Sequence, residues 1–150
     1  MPKIDLTYSA GALSPEAKAE LPGQLARTLL KWEKAPDTEF FRSISWTHVH
    51  ELAADSTHDG NGPDAPPHFV LDVTTPQGAL SDRRRGELAK EMTEQVLEAA
   101  GLTAEDAIRV WVLMHEVPEG SWGAAGGIVQ FEQLREAAKA ERASAATPAA

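Results

Sequence analysis

The chain contains one structural unit twice. Residues 3–14 (KIDLTYSAGALS) and 70–81 (VLDVTTPQGALS) share Asp5/Asp72, Thr7/Thr74 and a complete Gly-Ala-Leu-Ser block at a constant offset of 67 residues. Farther along, residues 46–53 (WTHVHELA) and 111–118 (WVLMHEVP) bring Trp, His and Glu into register at an offset of 65. One small insertion or deletion therefore separates the halves. A unit of about 65 residues occurs twice, and a repeat of this kind sets the architecture before any finer argument.

Each unit reads as strand, helix, strand. Residues 3–9 and 68–75 alternate apolar and polar side chains and run into glycine-containing turns. Ser14 and Ser81 are placed to cap the following helices, with Pro15 and Asp82 at the first helical position. In the second unit Leu88, Met92, Val96 and Ala99 fall at helical spacing and Gly101 closes the run; in the first, Leu21, Leu25, Leu29 and Trp32 form the same stripe. Pro22 interrupts that stripe. An interior proline costs about 3 kcal/mol, so the helix is expected to bend there or to restart with Pro22 at its first position.

The later strands are expected over residues 41–51 and 107–116, and a short terminal strand over 128–131 after the Gly126-Gly127 turn. A right-handed crossover makes each unit a βαβ motif with parallel strands. The expected fold class is thus α/β (α+β): two tandem βαβ units forming a four-stranded sheet with two helices on one face. Its other face needs a cover. The chain divides as a single domain over 1–150, with unit one at 2–54, a polar linker at 55–67, unit two at 68–131, and a C-terminal helix and tail at 132–150. Within that last part a helix is expected over 132–141 and a frayed tail over 143–150.

Composition narrows the function classes. With 150 residues and 42% hydrophobic content, the chain can bury one genuine core. A net charge of −9 opposes nucleic acid or an anionic membrane as partner, which leaves a small molecule or a protein. The absence of cysteine excludes a disulfide framework, a thiolate catalyst and cysteine-ligated metal. The start MPKIDLTYSAG has no basic n-region followed by an apolar run, and no long apolar stretch follows, so a soluble, cytoplasmic protein is expected.

Met1-Pro2 adds a chemical possibility. Removal of Met1 leaves a secondary amine, and an α-amino group titrates near pH ~7.7–8.0, so modest burial leaves it neutral and available as a general base or nucleophile. The plain alternative is that proline is a common second residue. Phe69 stands at the repeat position of Pro2, so only one half carries the amine.

Met1-Pro2, the doubled βαβ unit and the segment 110–127 (VWVLMHEVPEGSWGAAGG) together resemble the tautomerase superfamily over residues 2–131. Among its fused two-unit members the chain is similar to cis-3-chloroacrylic acid dehalogenase in length, in its LSPEAK helix start, and in a Trp-Val strand ending in Glu, hydrophobe, Pro. The resemblance implies that Pro2 is the catalytic amine at the base of a pocket, that no cofactor or metal is used, and that the chain forms a homotrimer whose sheets cover one another.

Carried over position by position, the family's other groups are mostly replaced. The carboxylate-gripping arginines fall on Pro76 and Ala79, a later-strand arginine on Trp111, the water-activating glutamate near Ala124, and a helical histidine near Leu29. The aromatic that closes the pocket is present as Trp122. Water addition needs a base and cations that these positions lack, whereas tautomerisation needs one well-placed base. The resulting expectation is a tautomerase or isomerase using Pro2 as proton shuttle on an enol or keto acid, including an aromatic one such as an arylpyruvate. A hydrolytic dehalogenase or hydratase of the 3-haloacrylate type and a non-catalytic oligomeric binding protein are the alternatives.

Several further side chains carry two readings each. Arg109, two residues before Trp111 and expected on the same strand face, is either a cation for the substrate or a surface ion pair. His115 is a proton relay or oxyanion donor, or else an interface hydrogen-bonding group. His48 and His50 share a strand face with Trp46, but no third ligand is placed beside them, so no metal is expected. Arg83, Arg84 and Arg85 lie in a first helical turn, where cations oppose the macrodipole, and are expected to be solvated or to form a trimer contact.

Overall fold

Two strands of nearly identical pattern form the centre of the sheet. Strand β1 (Lys3–Ser9) points Ile4, Leu6 and Tyr8 inward and Lys3, Asp5 and Thr7 outward; β3 (Phe69–Pro76) does the same with Phe69, Leu71 and Val73. They pair antiparallel with Asp5 opposite Asp72, its own repeat counterpart, so the pseudo-twofold relating the units passes between these aspartates. Strand β2 (Trp46–Leu52) lies parallel to β1 and β4 (Val110–Val117) parallel to β3, giving the order β2-β1-β3-β4. This is the expected α+β arrangement of two βαβ units. The computed structural model describes residues 1–147.

Helices α1 (Pro15–Glu33) and α3 (Asp82–Ala100) cover one face of the sheet. Ser14 caps α1 by accepting from the Ala17 N–H at 3.1 Å, Ser81 caps α3 by accepting from that of Arg84 at 3.4 Å, and Gly101 ends α3 with φ 65°. Leu25, Leu29, Leu88, Met92 and Val96 are fully buried against Ile4, Leu6 and Leu71. Of the expected bend or restart, the restart does not occur: α1 runs as one helix through Pro22, whose carbonyl accepts a hydrogen bond from Thr47 Oγ1 at 3.0 Å. Burying Leu21, Leu25 and Leu29 on one face is worth about 1.5–3 kcal/mol each, which exceeds the roughly 3 kcal/mol that the proline costs.

Three other expectations are corrected. The strand anticipated over 41–51 begins as helix α2 (Glu39–Ser43), capped by Thr38 and held down by buried Phe41, and becomes strand only at Trp46. The strand anticipated over 107–116 begins as a 3-10 turn (Ala104–Arg109), because Thr103 and Asp106 form a reciprocal capping box. Arg109 therefore lies off β4. In place of a strand over 128–131, Gly123–Ala124 (β5) and Gly127–Ile128 (β6) form a small hairpin, turned by Ala125 and Gly126 at φ 52° and 80°.

The last helix, α4 (Phe131–Ala146), exceeds the anticipated 132–141 and takes in the start of the supposed tail; residues 148–150 lie outside the described residues. The segment 55–67 is irregular apart from a 3-10 turn (Ala54–Ser56) and an isolated bridge between Asp59 and Gly62. No helix among the described residues is long and apolar enough to cross a membrane. In the single chain the second sheet face is open, with Trp46 and Trp111 each 59% exposed.

Candidate active site

A cavity of about 410 Å³ opens where the start of β1, the end of α1, the end of β3 and the start of α3 meet. Met1 enters it. Strand β1 holds the N-terminus in place, since buried Pro2 accepts a backbone hydrogen bond from Trp46 at 3.1 Å, leaving Met1 as the residue that reaches beyond the sheet. Pro76, Gly78 and Ala79 line the wall beside it.

Glu33 reaches the cavity from the last turn of α1. It extends the stripe Leu21, Leu25, Leu29 by one more step of four, so the periodicity that buries the leucines carries a carboxyl inward. Lys34 then ends the helix in the left-handed conformation (φ 59°), with the Ala35 N–H closing onto the Leu30 carbonyl at 3.0 Å. Glu33 Oε1 is buried and has no hydrogen-bond partner. Burial pushes the carboxyl up to about 7, and the positive N-terminus and Arg84 only partly offset it. The same burial lowers the Met1 amine, while the Glu33 charge acts in the opposite sense. An amine and a carboxyl thus face one cavity, each displaced toward neutral pH.

Arg84 supplies the cation. It stands four residues before Leu88 on the core-facing stripe of α3, and its Nη1 donates to the carbonyls of Trp32 and Ala79, both at 3.0 Å. Its Nε donates to Ser81 Oγ at 3.3 Å. The two N–H groups of Nη2 make no hydrogen bond among the described residues, leaving one edge of a fixed guanidinium available to an anion. Arg84 is therefore not the solvated residue expected from its place in the Arg83-Arg84-Arg85 run. Its neighbour Arg85 fits the surface picture better, pairing with Asp82 at 2.9 Å and Glu116 at 3.0 Å.

The residues singled out from sequence fall into two groups. Pro76 and Ala79 line the cavity together with Met1. Arg109, Trp111, His115 and Trp122 do not line it in the single chain. Arg109 is bound to Asp106 at 2.9 Å and lies beside Phe69, at the opposite end of β3 from Pro76. Trp111 donates its indole N–H to the Ile108 carbonyl at 3.1 Å, and the carbonyl of Trp122 accepts from the Val129 N–H at 2.9 Å within the hairpin.

His115 meets Asp72 at 3.0 Å on the open sheet face, mirrored across the pseudo-twofold by His50 and Asp5 at 2.8 Å. His48 lies 3.5 Å from the same Asp5, yet no metal-holding cluster of three such side chains occurs among the described residues. Glu33 and Arg84 were missed by position matching, although each stands where an apolar helical stripe ends in a charge.

The second unit matches the family model of the tautomerase enzymes over residues 70–132. Comparison with curated proteins by sequence gives no match. Among solved structures the chain is similar to Pt0534 inactivated by 2-oxo-3-pentynoate, with 21% identity and a TM-score of 0.71 over 84% of this chain and 94% of that one. It is similar to a fused 4-OT that forms a symmetric trimer, with 18% identity and a TM-score of 0.69 over the same 84% and 94% shares. A member of the cis-3-chloroacrylic acid dehalogenase family matches with 20% identity and a TM-score of 0.70 over 97% of this chain and 92% of that chain. The second unit thus carries the sequence signature of the tautomerase enzymes, and the chain as a whole has the two-unit fold of these structures.

Proposed function

We propose that this chain is a cofactor-independent isomerase that moves a proton within an enol or keto acid, with Pro2 as the proton carrier once Met1 is removed. The observation that carries this reading is the convergence of the N-terminus, Glu33 and Arg84 on one cavity. Burial that lowers the Met1 amine acts on whichever amine ends the chain there, which favours a neutral Pro2 nitrogen able to accept a proton. The amine takes the enol hydroxyl proton, the oxygen electrons form the carbonyl, the C=C pair turns toward carbon, and the ammonium returns its proton to that carbon.

Arg84 holds the substrate carboxylate or the enolate oxygen through its free edge. Glu33 tunes the amine by its charge, opposing the effect of burial. The open sheet face, with its exposed Trp46 and Trp111, fits a homotrimer like that of the fused 4-OT, in which a neighbouring chain would cover it.

Ketonisation of phenylenolpyruvate by protein whose Met1 removal is verified by intact mass tests the reading. Pro2→Ala is expected to lower kcat/KM by about 10²–10³, in the range of general acid–base catalysis; equal rates overturn the assignment of Pro2. Retention of Met1 in the active protein overturns it as well. A second reading, addition of water to a haloacrylate or alkynoate acid, is favoured by one observation. Glu33 and Arg84 bring a base and a cation into the cavity at positions other than those the family uses. Chloride release from 3-haloacrylates that is lost in Glu33→Gln would support it.

A further inference from the structure

Helix α4 has no counterpart after β2 in the first unit, and it begins where the segment matched by the family model ends. The core of the sheet is complete without it. It lies instead along the cavity, which it lines with Phe131, Leu134, Arg135, Ala138, Lys139 and Arg142, one helical face at steps of three and four.

The helix is fixed at three points. The Phe131 N–H donates to Glu119 Oε1 at 2.9 Å, Ala138 packs on Leu30 and Phe41, and the Arg142 guanidinium donates to the Lys34 carbonyl. In a chain of net charge −9, the cavity wall thereby carries five basic side chains and a single acid, Glu33. The cations form two groups. Arg84 belongs to the wall shared with Met1, Pro76 and Ala79, whereas Arg135, Lys139 and Arg142 belong to α4, with Lys34 at the end of α1 as the fifth. The same lining includes the apolar side chains of Phe41, Phe131 and Leu134.

We propose that α4 forms a second anion subsite, so that the substrate of this cavity carries an anionic group at each end of an apolar body. The end nearer the reacting carbon lies on Arg84 and the other on Arg135 and Arg142. This rests on the cavity being the active site. The present partners of the α4 cations do not bar it: Arg142 makes no hydrogen bond among the described residues beyond the one from Nη2 to the Lys34 carbonyl, while Arg135 meets Glu132 at 3.1 Å and Lys139 meets Glu136 at 2.5 Å, both exposed pairs one turn apart on the same helix. Such pairs are weak and exchange readily for a substrate anion. A guanidinium in a partly enclosed site binds a carboxylate in two-pronged fashion, which gives the subsite geometric as well as charge selectivity.

Calorimetric binding of phenylpyruvate and of 4-carboxyphenylpyruvate to the Met1-free protein isolates the second carboxylate on a common scaffold. The dianion is expected to bind about tenfold tighter, with a preference that shrinks as salt is added. The double variant Arg135→Gln/Arg142→Gln is expected to abolish that preference while leaving phenylpyruvate affinity within about twofold, and a lysine at both positions is expected to restore part of it. Equal binding of the two acids by wild type, or an equal loss for both in the variant, overturns the subsite. Should Pro2→Ala leave ketonisation intact, the isomerase reading falls while a measured dianion preference keeps the subsite. Should Pro2→Ala abolish turnover while both acids bind alike, the subsite falls and the isomerase reading stands.

Discussion

The two ends of the sheet are related by the pseudo-twofold between β1 and β3, yet only one of them holds a candidate active site. At the cavity end stand Pro2, Glu33 and Arg84; at the same repeat offset the other end has Phe69, Ala100 and Ala17. The two long helices match residue for residue, α1 and α3 both being 19 residues long and each capped by its serine. The other end is filled: the Phe69 ring packs on Tyr8 at a centroid distance of 6.0 Å, and Lys18 is ion-paired with Glu51 nearby. The two ends of a duplicated scaffold thus differ at three repeat-related positions, and only one end gathers an amine, a carboxyl and a guanidinium.

That contrast can be broken experimentally, beginning with the substitutions that remove most activity. After Pro2→Ala, the next largest loss is expected from Arg84→Ala, which removes the fixed cation. A drop in kcat/KM of about 10²-fold is the scale for losing one preorganised donor, whereas Ala17→Arg at the mirrored position is expected to leave kcat/KM unchanged. Steady-state kinetics on both variants checks the pair, and a similar loss in each would dissolve the asymmetry.

Glu33 makes the asymmetry visible in stability. Its carboxyl is pushed up to about 7 from an ordinary 4.5, so the folded chain holds the proton more tightly than the unfolded one between those values. Stability contributed by the protonated form is complete below pH 4.5 and is lost as pH rises through about 7. Glu33→Gln is therefore expected to match wild type near pH 4.5 and to exceed it by roughly 2 kcal/mol at pH 8, allowing for partial access of solvent. Urea midpoints across that range measure it; parallel curves for the two proteins would show the carboxyl to be solvated.

The two caps give the smallest and most symmetric effect. Ser14→Ala and Ser81→Ala are each expected to cost about 1 kcal/mol in thermal or urea unfolding. Only Ser81→Ala is expected to lower activity as well, because Ser81 Oγ also accepts from Arg84 Nε at 3.3 Å. Equal kinetics in the two variants would show that Arg84 is positioned without this bond.

Much of this was legible in the chain itself. The offset of 67 predicted both β1 and β3, and Ser14, Ser81 and Gly101 marked helix ends that the structure reproduces. What escaped were places where a local signal competed with periodicity. Phe41 looked like strand but is held in a capped turn of helix, and Ala107 lies inside a capping-box turn. Glu33 and Arg84 escaped for another reason. Matching to relatives asks whether a given position keeps its residue, while a cavity asks only which side chains reach it, and here the charge reaches it from a neighbouring turn.

The amino-acid order alone determined the doubled βαβ unit, the inward stripes and the one N-terminal proline, which Phe69 leaves without a counterpart, because periodicity, capping and backbone chemistry act over a few residues. Which charges meet at the N-terminus was decided only by folding. Glu33 and Arg84 come from segments far apart in sequence, and it is burial of the Glu33 carboxyl and of the N-terminus in one cavity that displaces both from their ordinary values, the positive N-terminus and Arg84 only partly offsetting the rise at Glu33.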